Sequence, residues 1–178
     1  PFRRVAIVGM GLMGGSLGLA LRERRPGIHV TGIVRRAEQA EDCVALGASH
    51  AATLDMAAGV ADADLVVLST PVRTLIAQIP EVARHMRPGA VLTDMGSTKA
   101  AIMRAMAQVP WPIQPVGGHP MCGKEVAGLE AADATLYEGA TWPLTPLERT
   151  DPAATAGVKA LVGAVGGRPV MLEADRHD

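Results

Sequence analysis

A glycine-rich turn between an apolar run and a helix-forming segment is the feature that most limits how this chain can fold. The turn reads Gly9-Met10-Gly11-Leu12-Met13-Gly14; an apolar run at residues 5–8 precedes it, and a Leu- and Ala-rich segment follows it. In a dinucleotide-binding fold the first glycine permits the tight turn, the second admits the pyrophosphate and the third lets the helix pack closely on the strand. The helix N-terminus then faces the anion. We therefore predict a dinucleotide site, the alternative being a purely structural connection. The predicted cofactor contacts here are Gly9, Gly11, Leu12, Met13 and Gly14.

The alternation of strand and helix patterns continues along the chain. Continuous apolar runs are typical of strands that are buried on both faces of a parallel sheet. Strands are predicted at residues 3–8, 28–34, 64–69, 90–94, 113–116, 140–145 and 168–173. Helices are predicted at residues 12–24, 37–46, 72–86, 98–109, 124–132 and 151–165. Because the connections are short, these elements predict an α/β fold with a doubly wound, mostly parallel Rossmann-type sheet.

Composition and charge exclude several other classes of protein. Apolar residues make up 48% of the chain and charged residues 20%, which rules out a disordered chain. Lys and Arg number 17 against 18 Asp and Glu, so there is no charge excess for binding nucleic acid. No apolar run approaches the ~20 residues that cross a bilayer, and we expect no signal peptide. Two cysteines make no disulfide framework, so we expect a cytoplasmic location. From the balanced charge and the short apolar runs we expect neither nucleic-acid nor membrane partners.

The end of the second predicted strand bears on which dinucleotide binds. An NAD site usually places a carboxylate about 20 residues after the glycine turn, where it binds the ribose 2′-hydroxyl. That position is near Val34 here, followed by Arg35 and Arg36, and the next carboxylate is Glu38. Guanidinium groups suit a 2′-phosphate, which accepts paired hydrogen bonds from them. NADP is the favoured cofactor, with NAD or use of both as the alternative; the two arginines could also belong to an ordinary solvated loop.

A second group of reactive residues follows two later strands. His119 comes after a predicted strand and a Gly-Gly turn, while Asp94 and Ser97 follow the preceding strand. Open α/β sheets place reacting groups at such strand ends. The sequence therefore predicts a histidine, a hydroxyl and a carboxylate close to one another. His119 and Cys122 have the spacing of two metal ligands, but the sequence holds no second pair with zinc spacing, so no metal site is expected.

With these segments the sequence resembles the prephenate/arogenate dehydrogenase family of tyrosine biosynthesis, over nearly its whole length. The glycine turn is shared with many dehydrogenases, whereas the His-Pro-Met segment and the matching stretches after it are specific to this family. The matching stretches are residues 9–16, Ser69-Thr70-Pro71-Val72, Asp94-x-Gly96-Ser97-x-Lys99, Gly117-Gly118-His119-Pro120-Met121, and residues 128–132 and 136–146. The resemblance implies a nicotinamide-dependent oxidative decarboxylation of prephenate, arogenate or both, in which the ring becomes a phenol.

The resemblance also implies roles for single residues. His119 matches a histidine that bonds to the substrate's ring hydroxyl and acts as general base, which a neutral imidazole can do at pH 7. Ser97 matches a serine that helps hold the histidine and the ligands; alternatively it caps a helix that begins at residue 98. Glu125 matches an acidic residue of the substrate pocket; alternatively it is a first-turn helix acid. Thr70 and Pro71 are implied to lie beside the nicotinamide.

Family members continue from the nucleotide domain into a helical domain that forms a homodimer and carries the arginines for the substrate's carboxylates. Residues 174–178 resemble the beginning of that domain. We therefore expect a dinucleotide-binding domain over residues 1–173, with the helical dimerisation domain largely absent from this chain. Two alternative functions remain at this point: a reductase of the 3-hydroxyacid dehydrogenase type, and a dinucleotide-binding sensor without catalysis. Neither of them has a use for the His119 segment.

Overall fold

Eight strands form one sheet with helices packed on both of its faces. The computed structural model describes residues 2–178. The strands are β1 (Arg4–Val8), β2 (His29–Ile33), β3 (Ala51–Thr53), β4 (Leu65–Leu68), β5 (Val91–Asp94), β6 (Gln114–Gly118), β7 (Thr141–Pro146) and β8 (Arg168–Met171). The helices are α1 (Leu12–Arg24), α2 (Ala37–Ala45), α3 (Met56–Val60), α4 (Val72–His85), α5 (Ala100–Met106), α6 (Pro152–Ala164) and α7 (Ala174–His177).

The order of strands across the sheet is β3-β2-β1-β4-β5-β6-β7-β8. All neighbouring pairs are parallel except β6 and β7, which run antiparallel. From β1 the chain adds β2 and β3 on one side and then returns to place β4 on the other side. Sheets of this kind bind ligands at the carboxyl ends of the strands, beside such a reversal. The predicted doubly wound, mostly parallel α/β fold is confirmed.

Two apolar layers hold the helices against the sheet. On one face Ile7 and Val67 belong to a buried cluster that includes Leu17 of α1. On the other face Val66 belongs to a second cluster that includes Leu75 of α4. The central strands therefore bury both of their faces, which explains why their sequences are continuous apolar runs. Within residues 2–178, no helix is both long enough and apolar enough to cross a membrane.

The segment at residues 124–132, predicted as a helix, is instead an irregular loop with a single 3₁₀ turn at Leu129–Ala131. Gly128, whose φ is +97°, interrupts it just before that turn. Residues 123–127 are all exposed. Leu129 packs against the core whereas Val126 is exposed, so the segment buries no continuous apolar face. Burial of such a face supplies most of the stability of short helices in proteins.

Two further differences concern short elements. The sequence did not predict β3 and α3, which have 3 and 5 residues and are too short to show a hydrophobic period. A capping signal is present there, because the Asp55 side chain accepts from the Ala58 N–H at 3.1 Å. Helix α5 begins at Ala100, later than the predicted start at residue 98.

Candidate functional site

The glycine turn connects β1 to α1 at the centre of the sheet. Gly9 has a φ of +92°, a conformation that residues with a side chain rarely adopt. Its N–H donates to the carbonyl of Ile33, at the end of β2, at 3.0 Å. A Cβ at Gly9 would lie 2.8 Å from Thr70 Cγ2 and 2.9 Å from the Ser69 carbonyl oxygen. Glycine is therefore required by the backbone conformation and by the approach of the loop between β4 and α4.

The other two glycines of the turn serve different purposes. A Cβ at Gly14, in the first turn of α1, would overlap the Gly9 carbonyl oxygen, so glycine allows the helix to sit against the turn. Around Gly11 no atom lies within 4 Å of the position that a Cβ would take. Gly11 is also the N-cap of α1 and supplies no side-chain cap. Because the first N–H groups of a helix have no intrahelical acceptor, they can bind an anion at this open side.

A cavity of about 610 Å³ opens from the turn toward the end of β2. Its wall includes the glycine turn, the segment after β2 and the first turns of α4. Arg35 lines this cavity, whereas Arg36 does not. The Nε of Arg36 lies 3.6 Å from Glu38 Oε1, and both side chains are exposed. Of the two arginines predicted to meet a 2′-phosphate, the structure places only Arg35 at the cavity.

A second cavity, of about 420 Å³, continues from the first at the switch between β1 and β4. Gly11, Ser69, Thr70 and Pro71 line both cavities, which therefore form one groove. Thr70 Oγ1 donates to Gln78 Oε1 at 2.6 Å, and this hydrogen bond fixes the Thr70 side chain in the wall. The second cavity is also lined by Leu12, Met13, Met95, Lys124 and Glu125. Thus the predicted cofactor contacts, apart from Arg36, Ser97 and Gly14, lie along the groove.

Asp94, the last residue of β5, joins the loop that follows β5 to the end of β6. Its Oδ1 accepts from the Gly118 N–H at 3.0 Å, and its Oδ2 accepts from the Gly96 N–H at 2.8 Å and from Lys99 Nζ. The side chains of Asp94 and Lys99 are 0% exposed. Burial raises the pKa of Asp94 and lowers the pKa of Lys99, although their ion pair opposes both shifts. The ion pair holds the loop after β5, and the hydrogen bond from Gly118 to Asp94 fixes that loop to the end of β6.

His119 follows β6 directly and is half-buried. Its Nδ1 lies 2.8 Å from Nε2 of His177, at the end of α7, and the two rings are tilted by 57°. His177 Nδ1 lies 3.0 Å from Asp178 Oδ1. The Asp178 carboxylate also accepts from the N–H groups of Lys99 and Ala100, at 2.7 and 3.0 Å. Because Nδ1 of His119 is occupied by His177, Nε2 is the nitrogen left to meet a ligand.

The electrostatic surroundings of His119 suit a proton acceptor. Burial, the neighbouring His177 and the charge of Lys99 lower the pKa of His119 from its ordinary value of 6.5. An imidazole with a lowered pKa is neutral at pH 7 and has a free lone pair. Among residues 2–178 there is no cluster of three or more His, Cys, Asp or Glu side chains that could hold a metal ion.

The three residues predicted to be catalytic lie in different places. His119 follows β6, the strand next to β5, whose following residue Met95 lines the groove, but His119 itself lines neither cavity. Ser97 is exposed, and within the described part of the chain its side chain makes no hydrogen bond. The alternative that Ser97 caps a helix is wrong, because α5 begins at Ala100 and the Asp178 carboxylate caps it. Glu125 lines the second cavity, and its alternative as a first-turn helix acid is wrong because no helix forms there.

Sequence reasoning missed the part that His177 and Asp178 take in the site. His177 is 58 positions away from His119, and no periodic pattern or short motif links the two. The buried pairing of Lys99 was missed as well, although the Asp94-x-Gly96-Ser97-x-Lys99 stretch was recognised as a match. The charge signs of Asp94 and Lys99, on the two sides of one loop, were the signal that could have suggested an ion pair.

This chain is similar to known proteins over most of its length. A family model described as "Prephenate dehydrogenase, nucleotide-binding domain" matches residues 17–171, from within α1 to the end of β8. The chain is 34% identical to a prephenate dehydrogenase of Bacillus subtilis (strain 168), over 98% of this chain and 47% of that protein. The chain spans about half the length of the curated relatives that it matches.

Solved structures share the fold over nearly the whole chain. The structure of Synechocystis arogenate dehydrogenase superposes with a TM-score of 0.91 at 29% identity, covering 98% of this chain and 61% of that one. The prephenate dehydrogenase of Aquifex aeolicus, in complex with hydroxyphenyl propionate and NAD⁺, superposes with a TM-score of 0.88 at 30% identity. That superposition covers 99% of this chain and 62% of the other.

Proposed function

Because this chain belongs to the prephenate dehydrogenase family, we propose that it is the cofactor-binding part of an NAD(P)-dependent dehydrogenase that oxidatively decarboxylates prephenate, arogenate or both. The observation that carries the proposal is the position of His119. His119 comes directly after β6, and its Nε2 is free. The neighbouring strand β5 is followed directly by Met95, which lines the groove. The names of the related enzymes, which include prephenate and arogenate dehydrogenases, support this reaction class.

The groove fits a nicotinamide dinucleotide. The open side of Gly11 and the first N–H groups of α1 would bind the pyrophosphate. Thr70 and Pro71, which stand where the two cavities join, would lie beside the nicotinamide half. When bound, the dinucleotide accepts the hydride that leaves the substrate ring. The residues of this chain hold that ligand in place and receive the substrate's proton.

NADP is proposed as the preferred cofactor. Arg35 lines the cavity at the end of β2, where a dinucleotide site meets the adenosine ribose. The cavity-lining residues between the end of β2 and the end of α2 are Val34, Arg35 and Gln39, none of which is a carboxylate that could bind a 2′-hydroxyl; Glu81, which also lines the cavity, comes from α4. A guanidinium can donate two parallel hydrogen bonds to a phosphate. This supports NADP over NAD.

His119 is proposed as the general base. A hydride leaves the ring carbon that bears the hydroxyl group. At the same time the Nε2 of His119 accepts the proton of that hydroxyl, so that a carbonyl begins to form at this carbon. The bond between the ring and its carboxylate then breaks, and carbon dioxide leaves. The electron pair of that bond stays with the ring and makes it aromatic. The proton returns to the oxygen to give a phenol. The surroundings that lower the pKa of His119 favour this return, because they disfavour a lasting imidazolium.

The family assignment favours the dehydrogenase over the 3-hydroxyacid-type reductase, and the placement of His119 favours an enzyme over a sensor, which needs no base. We further propose that residues 1–173 form the dinucleotide-binding domain and that residues 174–178 begin a helical domain. That domain would complete the substrate site, form a homodimer and select between prephenate and arogenate. The support is that the relatives are about twice as long as the part matched here.

The test is to compare wild-type enzyme with His119→Asn in the full-length protein, using each substrate with NADP⁺ and with NAD⁺. The wild type should form reduced cofactor and carbon dioxide in equal amounts. The substitution should lower kcat by roughly 10²–10⁴-fold, which is the usual contribution of a general base. The Kd for NADP⁺ should not change. Failure of the wild type to turn over either substrate would overturn the function, and near-normal turnover by His119→Asn would overturn the role of the base.

A further inference from the structure

We propose that His177 and Asp178 are positioning residues for His119, which hold it in the one tautomer that leaves Nε2 able to accept a proton. The proposal rests on the proposed function of His119 as the general base. It concerns three side chains in a row, Asp178, His177 and His119, that join the N-terminus of α5 to the end of β6.

The anchor of the row is Asp178. Its Oδ1 accepts from the Lys99 N–H at 2.7 Å and its Oδ2 from the Ala100 N–H at 3.0 Å, so the carboxylate caps α5 with both oxygens. These hydrogen bonds, with that from His177, lower the pKa of Asp178 to about 2. The carboxylate is therefore charged throughout the physiological range, and a negative charge at a helix N-terminus is favourable. A charged, doubly bonded carboxylate is a well-defined point from which to orient a neighbouring ring.

The protonation of both imidazoles follows from that charge. Asp178 can only accept at 3.0 Å, so the Nδ1 of His177 carries a hydrogen and, in the neutral ring, the Nε2 of His177 is an acceptor. That acceptor lies 2.8 Å from the Nδ1 of His119, which must then carry the hydrogen. The Nε2 of His119 is left with a lone pair. The opposite tautomer would point two acceptors at each other.

Because the His177 side chain is buried, its role as the hydrogen-bond partner of His119 is difficult to replace. The His177 side chain is 6% exposed, so water is poorly placed to replace it as the partner of His119. Without His177, the Nδ1 of His119 would have no defined acceptor, and the tautomer with the hydrogen on Nε2 would become available. That tautomer cannot take a proton from the substrate at Nε2.

The first test reads the tautomer directly, by ¹⁵N NMR of histidine-labelled 178-residue chain. The chain has 5 histidines, and His119 is assigned by its loss in His119→Asn. In the wild type His119 should carry its hydrogen on Nδ1. In His177→Leu the ring should populate the Nε2–H form, whereas in His177→Gln, whose amide oxygen can accept from Nδ1, it should stay in the wild-type form. A wild-type His119 protonated on Nε2 would overturn the proposal.

The second test measures steady-state kinetics in the full-length enzyme. We expect His177→Leu to lower kcat by roughly 10- to 100-fold, less than loss of the base itself, with the KM for the dinucleotide unchanged. His177→Gln should recover activity to within a few-fold of wild type, and Asp178→Asn, which keeps an acceptor for the cap, should fall in between. The matched control is His85→Leu, at the end of α4, which should leave kcat unchanged.

The two tests separate the possible failures. If the full-length wild type turns over neither substrate, the proposed function fails, and the NMR result still decides whether His177 sets the tautomer of His119. If the enzyme is active and folded His177→Leu keeps a wild-type kcat, the positioning role is wrong. If His177→Leu does not fold, the comparison of His177→Gln with Asp178→Asn decides, and equal loss of activity in both would count against the tautomer argument.

Discussion

Two side chains at neighbouring strand ends, Asp94 and His119, differ in how many of their polar atoms are already used. Asp94 accepts three hydrogen bonds, from Gly96, Gly118 and Lys99, and is 0% exposed. It has no accessible oxygen with which to take a proton from a ligand. His119 uses Nδ1 on His177 and keeps Nε2 free. At the scale of residues, the proposed base is therefore distinguished from Asp94 by the ring nitrogen that remains free rather than by residue type.

The same reasoning separates the two arginines after β2. Since Arg35 lines the cavity and Arg36 faces Glu38, Arg35→Ala should weaken NADP⁺ binding much more than Arg36→Ala. Loss of charge-assisted hydrogen bonds worth roughly 1.5–3 kcal/mol corresponds to about a 10- to 150-fold rise in Kd. The Kd for NAD⁺, which lacks the 2′-phosphate, should change little. Titration of each variant with both dinucleotides measures this, and equal effects on NADP⁺ and NAD⁺ would refute the role of Arg35.

The proposed role of His119 as general base predicts the pH dependence of the reaction. A base must be neutral to act, and the pKa of His119 is lowered by burial, by His177 and by Lys99. A lowered pKa keeps the ring neutral to more acid pH, so the acid limb of kcat/KM should have its midpoint below 6.5. The pH profile of kcat/KM reports the free enzyme, in which this shift is expressed. A midpoint above 7 would show that another group, or a charged His119, controls activity.

At the scale of elements, two glycines in the turn between β1 and α1 serve different purposes, one for the stability of the fold and the other for ligand binding. A methyl group at position 14 overlaps a backbone carbonyl, which cannot move aside cheaply, whereas a methyl group at position 11 meets no atom within 4 Å. The two glycines lie three residues apart in one turn, so they form a matched pair. One is needed to pack α1 on the sheet, and the other keeps a surface open to a ligand.

We therefore expect Gly14→Ala to destabilise the fold and Gly11→Ala to spare it. Overpacking of this kind costs typically 1–3 kcal/mol, and for a domain of this size each kcal/mol lowers Tm by roughly 2–4 °C. Gly11→Ala should leave Tm nearly unchanged and raise the Kd for the dinucleotide, because its methyl group occupies the open side that faces the pyrophosphate. Thermal unfolding and cofactor titration of both variants measure this. A stable Gly14→Ala would contradict the close approach of α1 to the turn.

Which elements the sequence could predict depended on whether burial left a pattern. Helix α1 was predicted with the bounds that the structure has, Leu12–Arg24, because a glycine turn starts it and Pro26 follows it. The loop at residues 124–132 carries helix-forming residues such as Glu125, but residues 124–127 are exposed and no continuous apolar stripe selects a helix. The segment around His119 could be singled out from the sequence, whereas the contact between His119 and His177 could not, because a contact over 58 residues depends on how β6 and α7 meet.

At the scale of the whole molecule, the topology brings segments that are distant in the sequence to one edge of the sheet. The groove runs across the carboxyl ends of β2, β1 and β4, and its wall contains residues from Val8 to Gly128. Beyond β5, the linked side chains of His119, His177 and Asp178 continue along the same edge of the sheet. The site is therefore assembled only when the sheet is complete, which couples ligand binding to the stability of the entire fold.

A bound dinucleotide should consequently stabilise the folded chain as a unit. A ligand that binds only the folded state, at 100 times its Kd, contributes about 2.7 kcal/mol, which for a domain of this size corresponds to a rise in Tm of roughly 5–10 °C. We expect this rise for the 178-residue chain with NADP⁺, in a single transition followed by circular dichroism. Gly11→Ala should unfold at the wild-type temperature without ligand but show a smaller rise at the same NADP⁺ concentration, because its binding surface is obstructed while its packing is not. Equal rises for wild type and Gly11→Ala would show that NADP⁺ binds elsewhere, and the groove would have to be rejected as its site.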